Sequence, residues 1–103
     1  MLATCYARPT GTTSTEAVRA ALAEAYADEA FVSVVDGSPS TKATQGSNAA
    51  HVSAVADDRT GWLVALCALD NLGKGASGAA VQCANLALGL PEGTGLTAVG
   101  TYP

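Results

Sequence analysis

The chain has 103 residues, 49% hydrophobic but only 5% aromatic, and a formal net charge of −4. One hydrophobic core is all that this length supports, and Ala, Val and Leu must build it, each burying little area at roughly 25 cal/mol per Å². The acidic balance excludes nucleic acid, which needs a basic stripe; no run of about 18 apolar residues exists to span a bilayer, and Met1 to Cys5 lacks the basic start and apolar stretch of a signal peptide.

Leu2 to Ala7 reads as a short strand. Thr10-Gly11-Thr12 turns the chain, and Thr13-Ser14-Thr15-Glu16 has the Ser/Thr-x-x-Glu form of a capping box. A helix is expected from there, with Val18, Ala21, Leu22, Ala25 and Tyr26 on one face and an end near Asp28-Glu29. Phe31 to Val35, β-branched and apolar ahead of Asp36-Gly37, reads as a second strand, so that strand, helix and strand form a crossover unit. Ser38 to Asn48 has no apolar period and is a loop.

His51 to Ala56 and Trp62 to Leu69 are strand candidates joined by Asp57-Asp58-Arg59-Thr60-Gly61, a link of hairpin length, and should pair antiparallel. The second is almost wholly apolar, the pattern of a central strand covered on both faces. A helix is expected from about Ser77 to Leu88, ended by Gly89 with Pro91 beyond. The tail carries an apolar patch at Leu96 to Val99 and reads as a terminal strand. The elements together predict one mixed α/β domain over residues 1–103.

Cys5, Cys67 and Cys83 are widely spaced and accompanied by a single histidine, His51, which supports neither a disulfide framework nor a zinc site. Cys67 and Cys83 read as small buried hydrophobes. The most informative stretch is Asp70-Asn71-Leu72-Gly73-Lys74-Gly75-Ala76-Ser77-Gly78, where a strand ends, a glycine-bearing turn follows and a helix begins. Backbone amides and a cation then surround one point, as an anion or polar cofactor group requires, and Asn71 offers the donor and acceptor that a primary carboxamide needs. The same residues also fit a plain connection with a solvated lysine, and the three-glycine dinucleotide fingerprint is absent.

Asp70 to Gln82, continuing to Asn85-Leu86-Ala87-Leu88-Gly89-Leu90, resembles the C-terminal signature of N-acetyl-γ-glutamyl-phosphate reductases. It is similar, more loosely, to aspartate-semialdehyde dehydrogenases. The loop Pro39 to Asn48 with His51, and the opening Leu2 to Ala7 with its capped helix, resemble the same reductases, so the likeness covers nearly the whole chain but only the last part of theirs.

The resemblance implies the mixed sheet of a C-terminal dimerisation and catalytic-type domain of the glyceraldehyde-3-phosphate dehydrogenase-like fold, present here incompletely. It implies an enzyme of arginine biosynthesis that uses NADP, a cysteine thioester and an assisting histidine to make a semialdehyde from a small acyl-phosphate substrate. The cofactor would be held mainly by an N-terminal nucleotide-binding domain that this chain lacks. Asn71 would approach the nicotinamide, with the Gly73, Lys74, Gly75 and Ala76 backbone beside it, as the last helix returns to that domain.

Cys5, preceded by Thr rather than Gly, does not match the family's nucleophile motif, and His51 does not match its catalytic histidine, so no catalytic residue is expected. Lys42 and Asn48 either lie near the substrate pocket or subunit interface or simply meet solvent. Met1 opening directly onto a strand fits a segment of a longer reading frame, inactive alone, cytoplasmic and homo-oligomeric. The alternative is a non-catalytic interaction module; a small nucleotide-binding protein using Lys74 rests on one loop.

Overall fold

A computed structural model describes residues 1–101. Its elements are β1 (Leu2–Ala7), α1 (Thr15–Ala25), β2 (Val32–Val34), β3 (Ala50–Asp57) and β4 (Trp62–Leu69), followed by a π-helical turn, Gly73–Ser77, that runs into α2 (Gly78–Ala87). The four strands form one sheet in the order β1-β4-β3-β2, with β2 parallel to β3 and the other pairs antiparallel. These directions make β1 and β2 parallel to each other at opposite edges, so α1 carries the chain across two intervening strands. The predicted crossover and hairpin are both present.

Helix α1 begins one residue later than the capping-box reading. Ser14, not Thr13, is the N-cap, its Oγ accepting from the Ala17 N–H at 3.2 Å. Glu16 therefore falls one position early for the reciprocal bond. Instead, its own backbone amide and then the Ser14 hydroxyl hold its carboxyl below the usual range.

The shortness of β2 explains how α1 is fastened. Beyond Val52 no β2 residue pairs with β3, and unpaired backbone groups inside a protein must find partners. Side chains of α1 supply them. Thr15 Oγ1 accepts from the Ala56 N–H at 3.1 Å and donates to the Ala56 carbonyl at 3.5 Å, and Arg19 Nε donates to the Ala54 carbonyl at 3.3 Å. A second Arg19 nitrogen reaches the Asp36 carboxylate at 3.1 Å.

The core is small, as the composition requires: Phe31, Ala49, Ala50, Ala54 and Ala68 are its buried hydrophobic members. Strand β4 is central by pairing, but the expectation that both its faces are covered fails. Only Ala68 in it is buried, and Ala65 is exposed. Cys67 is half-buried and Cys83 lies exposed on α2, so the buried role expected of the latter is also wrong.

Gly89 ends α2 with φ of 69°, the left-handed conformation expected of a helix stop. The tail forms no strand among the described residues. It crosses the Ser38–Asn48 loop through two isolated backbone bonds, Asn48 N–H to the Thr97 carbonyl at 2.7 Å and Thr101 N–H to the Gln45 carbonyl at 2.9 Å. The last two tail residues lie outside the described ones.

If Ser14 is the N-cap, Ser14→Ala lowers the free energy of unfolding in urea by about 1 kcal/mol. Thr13→Ala changes it by less than about 0.5 kcal/mol. Equal losses at both positions would return the cap to Thr13.

Candidate functional site

Strand β4 ends at Leu69, and the next residue organises everything after it. Asp70 Oδ1 accepts from the Leu72 and Gly73 amides, each at 2.7 Å, and Oδ2 accepts from the Gly46 amide at 2.8 Å. The Asp70 carbonyl takes the Gly75 N–H at 2.8 Å. One residue thus closes the turn on itself and ties it to the Ser38–Asn48 loop. The amide of Gly46, then those of Gly73 and Leu72, hold the Asp70 carboxyl below the usual carboxylate range.

This geometry changes the meaning of the glycine turn. The amides of Gly73 and Gly75, expected to face an anion, are satisfied inside the turn. Asn71 sits between the bonded residues with its side chain exposed. It shares a cleft of about 690 Å³ with Met1, Thr41, Lys42, Gln45, Leu69, Asp70 and Leu72. Lys42 is exposed at that cleft, one of the two placements its sequence left open, whereas Asn48 is buried.

Lys74 is not a solvated lysine. Half-buried, it donates to Gln82 Oε1 at 2.6 Å and lies 5.6 Å from the centre of the Phe31 ring. The same Gln82 oxygen accepts from Asn48 Nδ2 at 3.0 Å, and Gln82 Nε2 donates to the Glu92 carboxylate. Three residues on, Asn85 Nδ2 donates to the Glu92 and Thr94 carbonyls at 2.9 and 3.0 Å. A polar junction therefore locks the turn, α2, the tail and the Ser38–Asn48 loop together.

Gly78, Gln82 and Asn85 share the inward side of α2, as their four- and three-residue spacing allows. Gly78 and Asn85 are buried, while Val81, Leu86 and the following Leu88 are exposed, Leu88 by 75%. The helix is polar inside and apolar outside. Sequence reading missed Gln82 and Glu92 because an isolated Gln in an Ala-rich helix looks like a solvent-facing residue. The available signal was that Gly78, Gln82 and Asn85, which with Cys83 are the non-aliphatic residues of the helix, fall on one stripe.

Asn48 is 2% exposed, and its Oδ1 has no hydrogen-bond partner. It packs against the Gly78 backbone, where a Cβ would overlap it. His51 sits half-buried in β3 opposite Ala68, away from the turn. Cys5 is exposed on β1 opposite Ala65. Neither joins the cluster around Asp70. Among the described residues no group of three or more His, Cys, Asp or Glu side chains is placed to hold a metal, and no helix is long and apolar enough to cross a membrane.

The family model for the semialdehyde dehydrogenase dimerisation domain matches residues 1–71, which contain the entire sheet and end at Asn71. The chain belongs to that family. Its relatives include proteins named N-acetyl-γ-glutamyl-phosphate reductase from Saccharopolyspora erythraea, 54% identical, Acidothermus cellulolyticus, 52%, and Mycobacterium avium, 50%. Each match takes in 100% of this chain. The chain spans 31% of the length of the first two relatives and 30% of the third. The family match confirms the mixed α/β dimerisation-type domain expected from the sequence, while α2 and, apart from Asn48 and its loop, the polar junction beneath it lie beyond the matched residues.

Two outcomes test the junction. An Ala Cβ at position 78 must displace either Asn48 or the Gly73 backbone, so Gly78→Ala costs about 1–3 kcal/mol of stability, read by urea unfolding. Asp70 has a folded pKa below its unfolded value of about 3.9, so its contribution is present above that pH and is lost as pH falls through the folded value. Asp70→Asn therefore lowers Tm near neutral pH, and the difference from the parent closes as both are taken toward pH 2; a constant gap would deny the carboxylate this role.

Proposed function

We propose that this chain is a segment of an NADP-dependent N-acetyl-γ-glutamyl-phosphate reductase, an enzyme that reduces an acyl phosphate to a semialdehyde in arginine biosynthesis. In this reading it works in the cytoplasm as part of a homo-oligomer. The segment supplies the dimerisation sheet and one edge of the cofactor site; the nucleophile, the acid–base histidine and most of the nucleotide contacts come from residues outside it. Alone it is inactive.

The observation that carries the reading is the exposed Asn71 amide on a turn whose Leu72, Gly73 and Gly75 amides are already occupied. A primary amide pairs with another primary amide through one donor and one acceptor. Asn71 is thus suited to orient the nicotinamide carboxamide, with the backbone of Gly73, Lys74, Gly75 and Ala76 forming the wall beside it. The fit is to the nicotinamide end: the Gly73 and Gly75 amides and the Lys74 ammonium are committed elsewhere, so phosphate recognition falls to residues outside the chain. When bound, NADPH supplies the hydride, and this chain holds the ring in place. The outward apolar side of α2 suits packing against the nucleotide-binding domain.

The test is a hybrid enzyme in which these 103 residues replace the matching stretch of the Saccharopolyspora erythraea relative. The hybrid should reduce N-acetyl-γ-glutamyl phosphate with NADPH, and Asn71→Ala in it should raise KM for NADPH about tenfold, the equivalent of about 1.4 kcal/mol. The isolated chain should show no turnover. A folded but inactive hybrid, or an Asn71→Ala hybrid with unchanged kinetics, would contradict the proposal.

A further inference from the structure

Asp36-Gly37 is the sole place in the chain where a glycine follows an aspartate, and no asparagine precedes a glycine. The pair stands in the bend after β2, where both residues and Ser38 are exposed. Backbone pairing stops one residue earlier, with the Val35 N–H on the Val52 carbonyl at 2.9 Å, and among the described residues the Gly37 N–H makes no hydrogen bond. Gly37 has φ of 72°, and the space where a Cβ would sit is open. An unbonded and unshielded amide nitrogen therefore follows a carboxyl side chain that is itself 98% exposed.

The other aspartates are placed differently. Asp70 accepts three backbone amides, and Asp57 accepts from the Arg59 amide at 3.0 Å and the Thr60 hydroxyl at 2.5 Å. Those bonds keep each carboxylate from turning onto its own following nitrogen. Asp28 and Asp58 precede Glu29 and Arg59, whose side chains crowd that nitrogen as no glycine does. Asp36 is held through Arg19 alone among the described residues, the guanidinium reaching Oδ1 at 3.1 Å. A contact so exposed is weak.

We infer that Asp36-Gly37 is a self-modification site, where the chain closes to a succinimide and reopens to a β-linked isoaspartate, with the Arg19 contact as its brake. The Gly37 nitrogen attacks Asp36 Cγ with the carboxyl in its acid form. A C–N bond forms, the carboxyl hydroxyl leaves, and the amide proton goes with it as water. Water then adds back at the Asp36 main-chain carbonyl and breaks its bond to the Gly37 nitrogen. Nothing is oxidised or reduced, and water is the only reactant beyond the chain. The product has an extra carbon in its main chain and a displaced carboxylate, so the Arg19 tie between α1 and the end of β2 is lost. That end leads directly into the loop whose Thr41, Lys42 and Gln45 border the Asn71 cleft.

The test is prolonged incubation of the purified chain at neutral pH, with isoaspartate located by methylation with an isoaspartyl methyltransferase and by peptide mass spectrometry. Isoaspartate should gather at Asp36 about tenfold faster than at any other aspartate, and Arg19→Gln should speed it about threefold, the size an exposed ion pair supplies. Asp36→Asn, which closes the same ring by losing ammonia, should convert faster still in the folded chain; it decides the matter if circular dichroism shows Arg19→Gln to be unfolded. Isoaspartate spread evenly over the aspartates, or an Asp36→Asn chain that converts in urea but stays intact when folded, would overturn the site. An unchanged rate in folded Arg19→Gln would overturn the brake.

Discussion

Everything at the functional end of this molecule depends on the Asp70 carboxylate. Three backbone amides from two segments converge on its two oxygens. A short strand-to-helix turn is thereby fixed against a loop more than twenty positions earlier in the chain. Charge-assisted bonds of this type are roughly twice as strong as neutral ones. They also consume the donors that a glycine turn would otherwise offer to a ligand. The turn becomes a rigid bracket that holds Asn71 outward.

Beneath the bracket, a second polar assembly replaces the hydrophobic contact that normally seats a helix. Gln82 bridges Lys74, Asn48 and Glu92, and Asn85 fastens the tail. Such networks specify one arrangement when fully satisfied and cost stability when broken. The consequence is an α2 whose apolar residues point away from its own domain. The inward side of such a helix is stable only because its polar groups are paired with the loop, the turn and the tail, and its exposed side is suited to burial against another surface.

Much of this was legible in the sequence, and the reasons for the rest are physical. The strands, the crossover and the hairpin follow from apolar alternation and turn chemistry, and Gly89 marks the end of α2 as expected. The helix start shifted by one residue because Thr13, Ser14 and Thr15 are all competent caps; Thr15 was drawn instead to the open Ala56 backbone left by the shortness of β2. The coverage of β4 was overestimated because an apolar run reports what a strand can bury, not what is present to bury it. Leu96 to Val99 formed no strand; the tail is held instead by side-chain bonds from Gln82 and Asn85 and by backbone bonds to Asn48 and Gln45.

At the candidate site, composition and spacing misjudged the state of the groups in the glycine turn. An amide's availability depends on the side chains around it, and Asp70 looked like the end of a strand rather than an acceptor for three donors. Lys74 looked solvated because its partner, Gln82, is eight residues away and reaches it only once the helix has formed.

Amide hydrogen exchange resolved by residue tests the bracket most directly. Gly46, Leu72 and Gly73 lie at or near the surface, yet their N–H groups should exchange slowly in the parent chain and rapidly in Asp70→Asn, while the β3–β4 amides stay protected in both. Rapid exchange of those three amides in the parent would mean that the turn is not held by Asp70, and that Asn71 is not presented on a rigid support.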